Sequence, residues 1–235
     1  MDRLEEGMWW YDGLHAHLLF FLRQGLADTQ HPLVLDAGCG TGGFLRILDH
    51  VAPRFCALGL DVDEGACVSA RTKGGCPVCV ASVNAMPFGE NTFSAIVSAD
   101  VLYHRDVDDA QALSGFYRCL ARGGILVLNL PAYQWLYSAH DRAIHTARRY
   151  TKTRVHELLR AAGFMRVRTT YWNTFLFPLM VLRRMLTRTK DGSDVIEYPK
   201  PINLSFRLII KLEYALLRRG FTLPFGGSIL AVAVK

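Results

Sequence analysis

A glycine-rich turn between an apolar run and an amphipathic segment constrains this chain more than any other feature. Residues 33–35 are apolar, glycines follow at positions 38, 40, 42 and 43, and residues 44–48 resume with helical spacing. This order predicts a buried strand, a tight turn and a helix. Because glycine lacks a side chain, such a turn can bring backbone N–H groups against a ligand at the start of the helix.

One carboxylate narrows the kind of ligand that the turn can hold. Gly38, Gly40 and Gly43 match the spacing of a dinucleotide-binding turn, which is a weak signal by itself. Asp36 lies two residues before the first glycine. A negative charge there would repel an arriving pyrophosphate but would attract a cationic group. We therefore interpret the turn as a site for a nucleoside that carries a positive charge.

Residues 34–42, VLDAGCGTG, resemble the first motif of class I S-adenosylmethionine-dependent methyltransferases of the small-molecule type. Asp61 and residues 84–88 and 98–102 fall where that family places its later motifs, and the resemblance covers roughly residues 33–172 with residues 228–235 as a final strand. It implies S-adenosyl-L-methionine as cofactor, S-adenosyl-L-homocysteine as product and methyl transfer as the activity.

The resemblance also implies which residues contact the cofactor. Asp36, Gly38 and Gly40 would hold the methionine end, and Asn84 with Ala85 would lie at the adenine. Asp61 would meet the ribose, and its position nineteen residues after Gly42 also fits a strand-end carboxylate in a nucleoside-binding fold. The complete set of expected cofactor contacts is Trp10, Tyr11, Asp36, Gly38, Cys39, Gly40, Gly42, Asp61, Val62, Asn84, Ala85, Asp100 and Val101.

The pattern of apolar runs predicts an α/β fold. Four near-continuous apolar strands alternate with helices, which favours a doubly wound, mostly parallel sheet covered on both faces. The resemblance implies seven strands in the order 3-2-1-4-5-7-6, with the last strand antiparallel. We expect one methyltransferase domain over residues 1–235, with substrate-side insertions at 131–150 and at 173–226, the second one helical and just before the last strand.

Residues 3–28 show helical spacing and begin with an aromatic cluster, Trp9-Trp10-Tyr11. Two adjacent tryptophans cannot both enter one buried stripe, so one of them covers a ligand or an insertion. In similar methyltransferases an N-terminal helix closes over the cofactor, which makes residues 1–30 a candidate lid. The alternative is that both rings pack on the edge of the sheet.

The least generic stretch is residues 131–150. If residues 138–149 are helical, Asp141 and His145 stack at i, i+4, with Arg148 and Arg149 one turn further. In this arrangement Asp141 would orient His145 as a proton acceptor, and the two arginines would bind an anion. The alternative is a cluster of caps and salt bridges that holds the insertion in place. The expected acceptor contacts are Tyr103, Tyr133, His140, Arg148, Arg149 and Tyr150.

Two further chemical roles are open in this part of the chain. His104 follows the fourth strand, where open α/β sheets bind ligands, and is a second candidate for the general base; it could also simply bond the neighbouring loop. A metal site from His140, Asp141 and His145 is disfavoured, because histidines five residues apart on a helix face different directions. We therefore expect no metal.

Charge is divided unevenly along the chain. Residues 1–140 carry nine Lys and Arg against fifteen Asp and Glu, whereas residues 141–235 carry eighteen against six. The basic half could attract an anionic substrate, a lipid surface or nucleic acid, or it could be a solvated face. Two amphipathic basic segments, 175–187 and 202–219, would form a substrate lid, a homodimer interface or a surface resting on a membrane, in that order of preference.

The cysteines and the N-terminus bear on the compartment. Six cysteines without the dense spacing of a disulfide framework suggest a reducing environment, and the lone Cys76-Pro77-Val78-Cys79 motif has no second pair. The apolar run 18–22 follows Glu5 and Glu6 and lacks a cleavage site, so it does not resemble a signal peptide. These features predict a soluble, cytoplasmic protein.

The expected function is methylation of a small, largely apolar and anionic acceptor, such as a specialised metabolite or a lipid precursor. Alternatives are a membrane-peripheral methyltransferase of a prenylated or lipid substrate and a non-catalytic S-adenosylmethionine-binding protein. A nucleic-acid acceptor is not expected. The sequence shows no stacking platform among its basic residues, and residues 100–103 read DVLY rather than the Asn/Asp-Pro-Pro-Tyr/Phe of many amino-directed enzymes.

Overall fold

The computed structural model describes residues 8–73, 75–186 and 198–235. Seven strands form one sheet in the order β3-β2-β1-β4-β5-β7-β6. The pairs among β1 to β5 are parallel, and β7 is antiparallel to both β5 and β6. This confirms the predicted order and the antiparallel last strand. The strands are β1 (Leu33–Ala37), β2 (Cys56–Asp61), β3 (Val78–Val80), β4 (Phe93–Ala99), β5 (Leu120–Pro131), β6 (Arg166–Trp172) and β7 (Ser228–Val234).

Helices cover both faces of this sheet. They are α1 (Trp9–Gly25), α2 (Gly43–Val51), α3 (Glu64–Lys73), α4 (Asp109–Cys119), α5 (Ala139–Ala143), α6 (Lys152–Ala161), α7 (Phe177–Leu186) and α8 (Lys200–Arg218). Alternate strand residues enter two separate cores. Val127 belongs to the core that includes residues of α1, α2 and α8, whereas Leu128 belongs to the core that includes residues of α4 and α6. The near-continuous apolar strands are thus explained by burial on both faces.

Several predicted boundaries shift. Residues 1–7 lie outside the described residues, and the described part of the N-terminal helix starts at Trp9 and ends at Gly25. The apolar runs 78–83 and 125–130 predict the third and fifth strands. The third strand is shorter than its run, and the fifth starts earlier, at Leu120. The two insertion segments are helical as expected, over Phe177–Leu186 and Lys200–Arg218.

The N-terminal helix is a core element as well as a candidate lid. Leu18 and Leu22 of α1 are fully buried against the sheet. The same helix is fastened to α8, because Asp12 forms an ion pair with Arg207 at 2.8 Å and the backbone N–H of Trp9 donates to the Asn203 side chain. The first turn of α1 brings Trp10 against Trp172 at the end of β6, and His15 in the next turn stacks on Phe44 of α2.

None of the helices in the described ranges combines the length and the apolar character needed to cross a bilayer.

Candidate active site

The glycine turn at the end of β1 has the backbone conformation that its sequence predicts. Gly38, Gly40 and Gly42 have φ angles of 90°, 52° and 84°, which side chains disfavour. A Cβ at Gly38 would lie 2.1 Å from Cγ2 of Val101. At Gly40, in contrast, no atom of the described residues beyond its chain neighbours lies within 4 Å of such a Cβ. Gly38 thus permits close packing, whereas Gly40 faces open space at the edge where ligands bind.

Asp61 ends β2 and turns its carboxylate toward this turn. Oδ2 accepts a hydrogen bond from the Gly40 N–H at 2.8 Å, and Oδ1 accepts one from the Asp63 N–H at 2.9 Å. Each oxygen keeps a second lone pair, so Asp61 can still accept hydrogen bonds from hydroxyl groups. Its neighbour Val62 is exposed, as a residue that flanks a ligand can be. Asp63 itself accepts from the Ala66 N–H and caps α3, as its position predicts.

The turn lies in a negative electrostatic environment. Asp36 is buried at the end of β1. Burial, followed by the charges of Asp36 and Asp61, raises the pKa of the Cys39 thiol, which keeps the thiol neutral. The field at this turn therefore favours a cation and disfavours a phosphate, in agreement with the sequence interpretation.

Asn84 has a structural role that the sequence did not indicate. Its Nδ2 donates to the Asp106 carbonyl at 2.8 Å, and its Oδ1 accepts from the Asp108 N–H at 3.0 Å. The amide thus anchors the loop that follows β4, while the neighbouring Ala85 is exposed. The predicted contact with adenine remains a prediction for both residues.

A hydrogen-bonded chain links the ends of β4, β5 and β6. Asn129 Nδ2 donates to Asp100 Oδ2 at 2.9 Å, and Trp172 Nε1 donates to Asn129 Oδ1 at 2.8 Å. Asp100 has a φ of 59°, an uncommon conformation for a residue with a side chain and one that concentrates at functional sites. The sequence carried one signal for this chain, because Asn129 is an amide in an otherwise apolar strand.

The acid–base properties of Asp100 differ from those of an ordinary aspartate. Desolvation raises the pKa of Asp100 to about 7, although the hydrogen bond from Asn129 and the charge of Arg149 act in the opposite direction. A carboxylate with a pKa near neutrality can accept a proton and still be ionised at physiological pH. Asp100 was predicted only as a cofactor contact, alongside Val101, which packs beside Gly38.

His104 and Tyr103 lie directly after Asp100. Their rings are 4.5 Å apart, and Tyr103 is buried. Desolvation lowers the pKa of His104, while the backbone carbonyls of Asp100 and Ile144 raise it. Burial, followed by the charge of Asp100, raises the pKa of Tyr103, which keeps its hydroxyl protonated. The role of His104 as a base remains a prediction.

The predicted helix over residues 138–149 is wrong. Helix α5 ends at Ala143, Ile144 caps it, and His145 has a φ of 57°. His145 is exposed, and its carbonyl accepts from the Arg105 N–H at 3.1 Å. Because the helix stops before it reaches His145, Asp141 and His145 do not stack at i, i+4. The catalytic pair built on that spacing loses its geometric basis.

Asp141 instead takes part in a buried ion cluster. Arg149 Nη1 lies 2.6 Å from Asp141 Oδ1, and Arg184 Nη1 lies 3.5 Å from Oδ2. Ser138 donates to the same carboxylate through its N–H and its hydroxyl. The side chains of Arg149 and Asp141 are only 4% and 2% exposed. These contacts support the alternative that was left open, a cap and salt-bridge cluster that holds the insertion in place.

The other predicted acceptor contacts divide into buried and accessible residues. Arg149 Nε also donates to the Ala132 carbonyl, so it is not placed to grip an anion. Tyr150 is buried, with its hydroxyl 2.9 Å from the Leu102 carbonyl. Arg148 is one-third exposed and pairs with Asp109 at 3.4 Å. His140 is half-buried on α5.

Tyr133 forms part of an aromatic stack at the same edge of the sheet. Its ring lies 5.1 Å from Tyr171 and 5.7 Å from Trp135, and both pairs are nearly parallel. Trp135 ends the stack and is 64% exposed, while Lys152 Nζ lies 4.6 Å above the Tyr171 ring at the other end. Trp135 therefore presents an exposed ring, and the basic residue lies at the opposite, buried end of the stack. The exposed ring weakens one of the two sequence arguments against a nucleic-acid acceptor.

The adjacent tryptophans at the start of α1 face different surroundings. Trp9 is buried and packs edge-on against Phe206 of α8. Trp10 is half-buried, with its ring 5.7 Å from Trp172 and 5.0 Å from Tyr11. One ring thus covers the insertion, and the other lies over the Trp172–Asn129 chain, as the argument from helix stripes predicts. Closure of α1 over a cofactor remains a prediction.

Among the described residues, no group of three or more His, Cys, Asp or Glu side chains is arranged to hold a metal ion.

Comparison with known proteins relates part of this chain to a family. Residues 34–124 match the family model described as a methyltransferase domain. The chain is 34% identical to the "Probable tRNA methyltransferase 9B" of Mus musculus over 52% of this chain and 26% of that protein. It is 29% identical to a "Probable S-adenosylmethionine-dependent methyltransferase" of Mycolicibacterium smegmatis over 56% of this chain and 51% of that protein. The chain thus spans between a quarter and about half of the length of these two relatives.

The fold also resembles that of a solved methyltransferase structure. Phosphoethanolamine N-methyltransferase 2 of Haemonchus contortus, solved in complex with S-adenosyl-L-methionine, superposes with a TM-score of 0.62. The match covers 93% of this chain and 52% of that one at 16% sequence identity, and it therefore concerns the fold. The cofactor of the family is S-adenosylmethionine. The family match, the strand order and the glycine turn together identify a class I S-adenosylmethionine-dependent methyltransferase domain in this chain.

Proposed function

We propose that this chain transfers the sulfonium methyl group of S-adenosylmethionine to a small acceptor bound at the carboxyl edge of the sheet, beside Asp100. The observation that carries the proposal is the position of Gly40. It faces open space, its N–H is held by Asp61, and Asp36 is buried nearby. An open backbone between two carboxylates suits a cationic nucleoside better than a dinucleotide.

In this proposal the glycine turn, Asp61 and Asn84 keep their predicted places along the cofactor, whereas Asp100 is reassigned as the base. Asp36 and the turn at residues 38–42 hold the methionine end, and Asp61 with Val62 holds the ribose. Asn84 and Ala85 lie along the adenine, with the Asn84 amide fixed to the loop at 104–108. Trp10 and Tyr11 cover the methyl group from the first turn of α1, and Val101 supports the turn from below.

The chemistry requires alignment and removal of a proton. The sulfonium already makes the methyl group electrophilic, so the protein needs only to align the acceptor in line with it and deprotonate a hydroxyl or an ammonium group. We assign Asp100 as the base that accepts this proton. Asn129 orients the Asp100 carboxylate through its Nδ2 hydrogen bond. His104 is the second candidate base. Asp141 and His145 are not assigned catalytic roles.

We infer a largely apolar acceptor from the side chains around Asp100. Tyr103 and Trp172 are buried aromatic residues at this edge, and Tyr133 is half-buried. Arg148 is the predicted anion contact that is still partly exposed. Free thiols at all six cysteines support a reducing, cytoplasmic location for this reaction.

An RNA acceptor is the second candidate. Two observations favour it: the exposed Trp135 at the end of the aromatic stack and the tRNA methyltransferase name of the Mus musculus relative. An exposed aromatic ring can stack an unpaired base, and Lys152 adds a positive charge at the other end of the same stack. This candidate predicts that Trp135→Ala lowers RNA affinity, whereas a small apolar acceptor would be methylated equally well by that variant.

The test measures cofactor binding and turnover separately. Calorimetry should show binding of S-adenosylmethionine, and Asp61→Ala should weaken it by more than about tenfold, the loss expected for charge-assisted hydrogen bonds to ribose hydroxyls. Asp63→Ala is the matched control, because Asp63 caps α3 and its carboxylate accepts from the Ala66 N–H. Equal losses in both variants would contradict the ribose assignment.

Release of S-adenosylhomocysteine is then screened against a panel of small apolar metabolites, lipid precursors and total tRNA. Turnover with a small acceptor is the expected result. Turnover with tRNA alone would favour the second candidate. Tight cofactor binding without turnover on any class would favour a non-catalytic binding protein.

A further inference from the structure

The helix α7 is inverted relative to an ordinary surface helix. Its solvent-facing side consists of Pro178, Leu179, Leu182 and Met185, and the three large side chains are between 51% and 70% exposed. The basic residues of this helix turn the other way. Arg184 pairs with Asp141, and Arg183 Nη1 donates to the Tyr198 hydroxyl at 2.9 Å. Within the part of the chain that the structure describes, the apolar side of α7 at residues 178, 179, 182 and 185 is therefore left uncovered.

The helix α8 has a second apolar stripe opposite its buried one. Ile210 and Leu217 face the core, whereas Leu204, Leu208 and Leu212 recur at four-residue spacing on the outer side. These three leucines are 59%, 59% and 58% exposed. A single exposed leucine is normal on a protein surface, but a regular stripe marks an interaction site.

Basic side chains border the α8 stripe, and exposed acids are missing from both helices. Lys200, Lys211 and Arg218 lie along one flank of the stripe and are exposed. The sequence of α7 contains no acidic residue, and α8 contains one, Glu213, which is fully buried and accepts from the Thr174 N–H. The outer face of α7 is therefore apolar, and that of α8 is apolar with a basic flank.

We propose that the outer faces of α7 and α8 dock onto an anionic lipid surface. Leucines at the level of the acyl boundary and lysines at the level of the headgroups are the pattern of an interfacial helix. Anionic headgroups would neutralise the basic flank, since each Lys or Arg near such a surface adds to the attraction. The two helices lie on the surface rather than span it, because neither is long and apolar enough to cross a bilayer.

A second copy of this chain fits the same surface less well. A twofold interface brings a patch against itself, so the lysines and the arginine of one copy would meet those of the other without an acidic partner on either helix. Lipid docking does not depend on the methyl transfer proposed above. A variant that loses docking should still bind S-adenosylmethionine.

Vesicle sedimentation tests this surface directly. The full chain is mixed with vesicles of phosphatidylcholine alone or of phosphatidylcholine with phosphatidylglycerol. We expect binding to the anionic vesicles and weaker binding to the neutral ones and at high salt. The triple variant Leu204→Gln/Leu208→Gln/Leu212→Gln should lower the partition coefficient by more than about tenfold, because it removes three apolar side chains from the boundary. Lys200→Glu/Lys211→Glu should remove the preference for anionic vesicles.

A matched control uses exposed apolar residues outside the two helices. Val68 and Met165 are 52% and 82% exposed, and Val68→Gln/Met165→Gln should leave vesicle binding unchanged. Circular dichroism and cofactor binding verify that each variant is folded. Two results would overturn the proposal: equal vesicle binding by the triple variant and the wild type, or no vesicle binding together with a dimer in light scattering that the triple variant abolishes.

Discussion

The cofactor side and the acceptor side of the carboxyl edge are held in place by different kinds of contact. On the cofactor side, the N–H groups of Gly38 and Cys39 donate to the Leu60 carbonyl, so the turn after β1 is fixed by the adjacent strand. On the acceptor side, Asp141 is fixed by Arg149 and by Arg184 of α7. Backbone bonds between neighbouring strands follow from strand order, whereas the ion cluster depends on side chains brought together from distant parts of the chain.

The largest loss of stability is expected from breaking the Asp141 ion cluster on the acceptor side. Asp141→Ala should lower the free energy of unfolding by about 3–5 kcal/mol, because it leaves Arg149 buried without its partner. Urea unfolding measures the change. The double variant Asp141→Leu/Arg149→Met should recover much of the loss, since no unpaired charge from this pair remains. A loss below about 1 kcal/mol in the single variant, typical of surface ion pairs, would show that the cluster does not hold the insertion.

The cofactor side should respond next, through packing. Gly38→Ala places a methyl group 2.1 Å from Val101 Cγ2 at a φ of 90°, and it should destabilise the fold by about 2–4 kcal/mol. Cofactor affinity should fall with it. Val101→Ala in the same chain relieves the clash and should restore part of the stability. Gly40→Ala is the contrast, because its methyl group would meet open space and only the backbone strain of about 1–2 kcal/mol remains. Equal effects at positions 38 and 40 would contradict this distinction.

Asp100 connects the two sides, and its effect should appear in catalysis. Asp100→Asn should lower kcat by about 10²–10⁴-fold, the usual range for a general base, and change cofactor affinity by less than about threefold. In the wild type the rate should rise with pH through about 7, because the base is active only after it loses its proton. This pH step should vanish in the variant. A persisting step near pH 7 would assign the titration to another group, such as His104.

The raised pKa of Asp100 also predicts the sign of a stability effect. The protonated carboxyl is favoured in the folded state, so this contribution is fully present below a pH of about 4, the usual aspartate value, and is lost as the pH rises to about 7. Thermal unfolding of the wild type and of Asp100→Asn across this range isolates the contribution. The difference in Tm between the two should grow in favour of Asn as the pH increases, because the amide never ionises.

The sequence predicts the cofactor side well for a physical reason. Apolar runs, glycines with positive φ and strand-end acids act over short stretches, and they predicted the mostly parallel sheet, the turn and the position of Asp61. The strand order itself was implied by the resemblance to class I methyltransferases. Asp63 caps α3 by the same kind of local rule, because an acid at the start of a helix accepts from its first N–H groups. Burial on both faces of the sheet leaves a pattern in the chain that can be recognised before any tertiary contact is known.

The acceptor side could not be predicted in the same way. The predicted pairing of Asp141 with His145 required a continuous helix over residues 138–149. The helix stops after Ala143, and the left-handed backbone at His145 changes the direction of the chain. Arg184, which completes the Asp141 cluster, lies on another helix, and nothing near residue 141 indicates it. The stack of Tyr133, Trp135 and Tyr171 likewise joins the end of β5 to β6 through the tertiary fold.

The smallest expected effect concerns Asn84, which lies between the cofactor side and the acceptor side. It belongs to the cofactor side by sequence, yet its amide bonds Asp106 and Asp108 in the loop that leads to the acceptor side. Asn84→Ala removes both hydrogen bonds and should lower the free energy of unfolding by about 1–2 kcal/mol. Because the amide already bonds the loop, we expect the Kd for S-adenosylmethionine to change by less than about threefold, which corresponds to about 0.7 kcal/mol. Calorimetry well below the unfolding transition measures this Kd.

Asn84→Asp keeps the acceptor for the Asp108 N–H and should be less destabilising than Ala. A rise of more than about tenfold in Kd for both variants would assign the amide to adenine and extend the cofactor side into this loop.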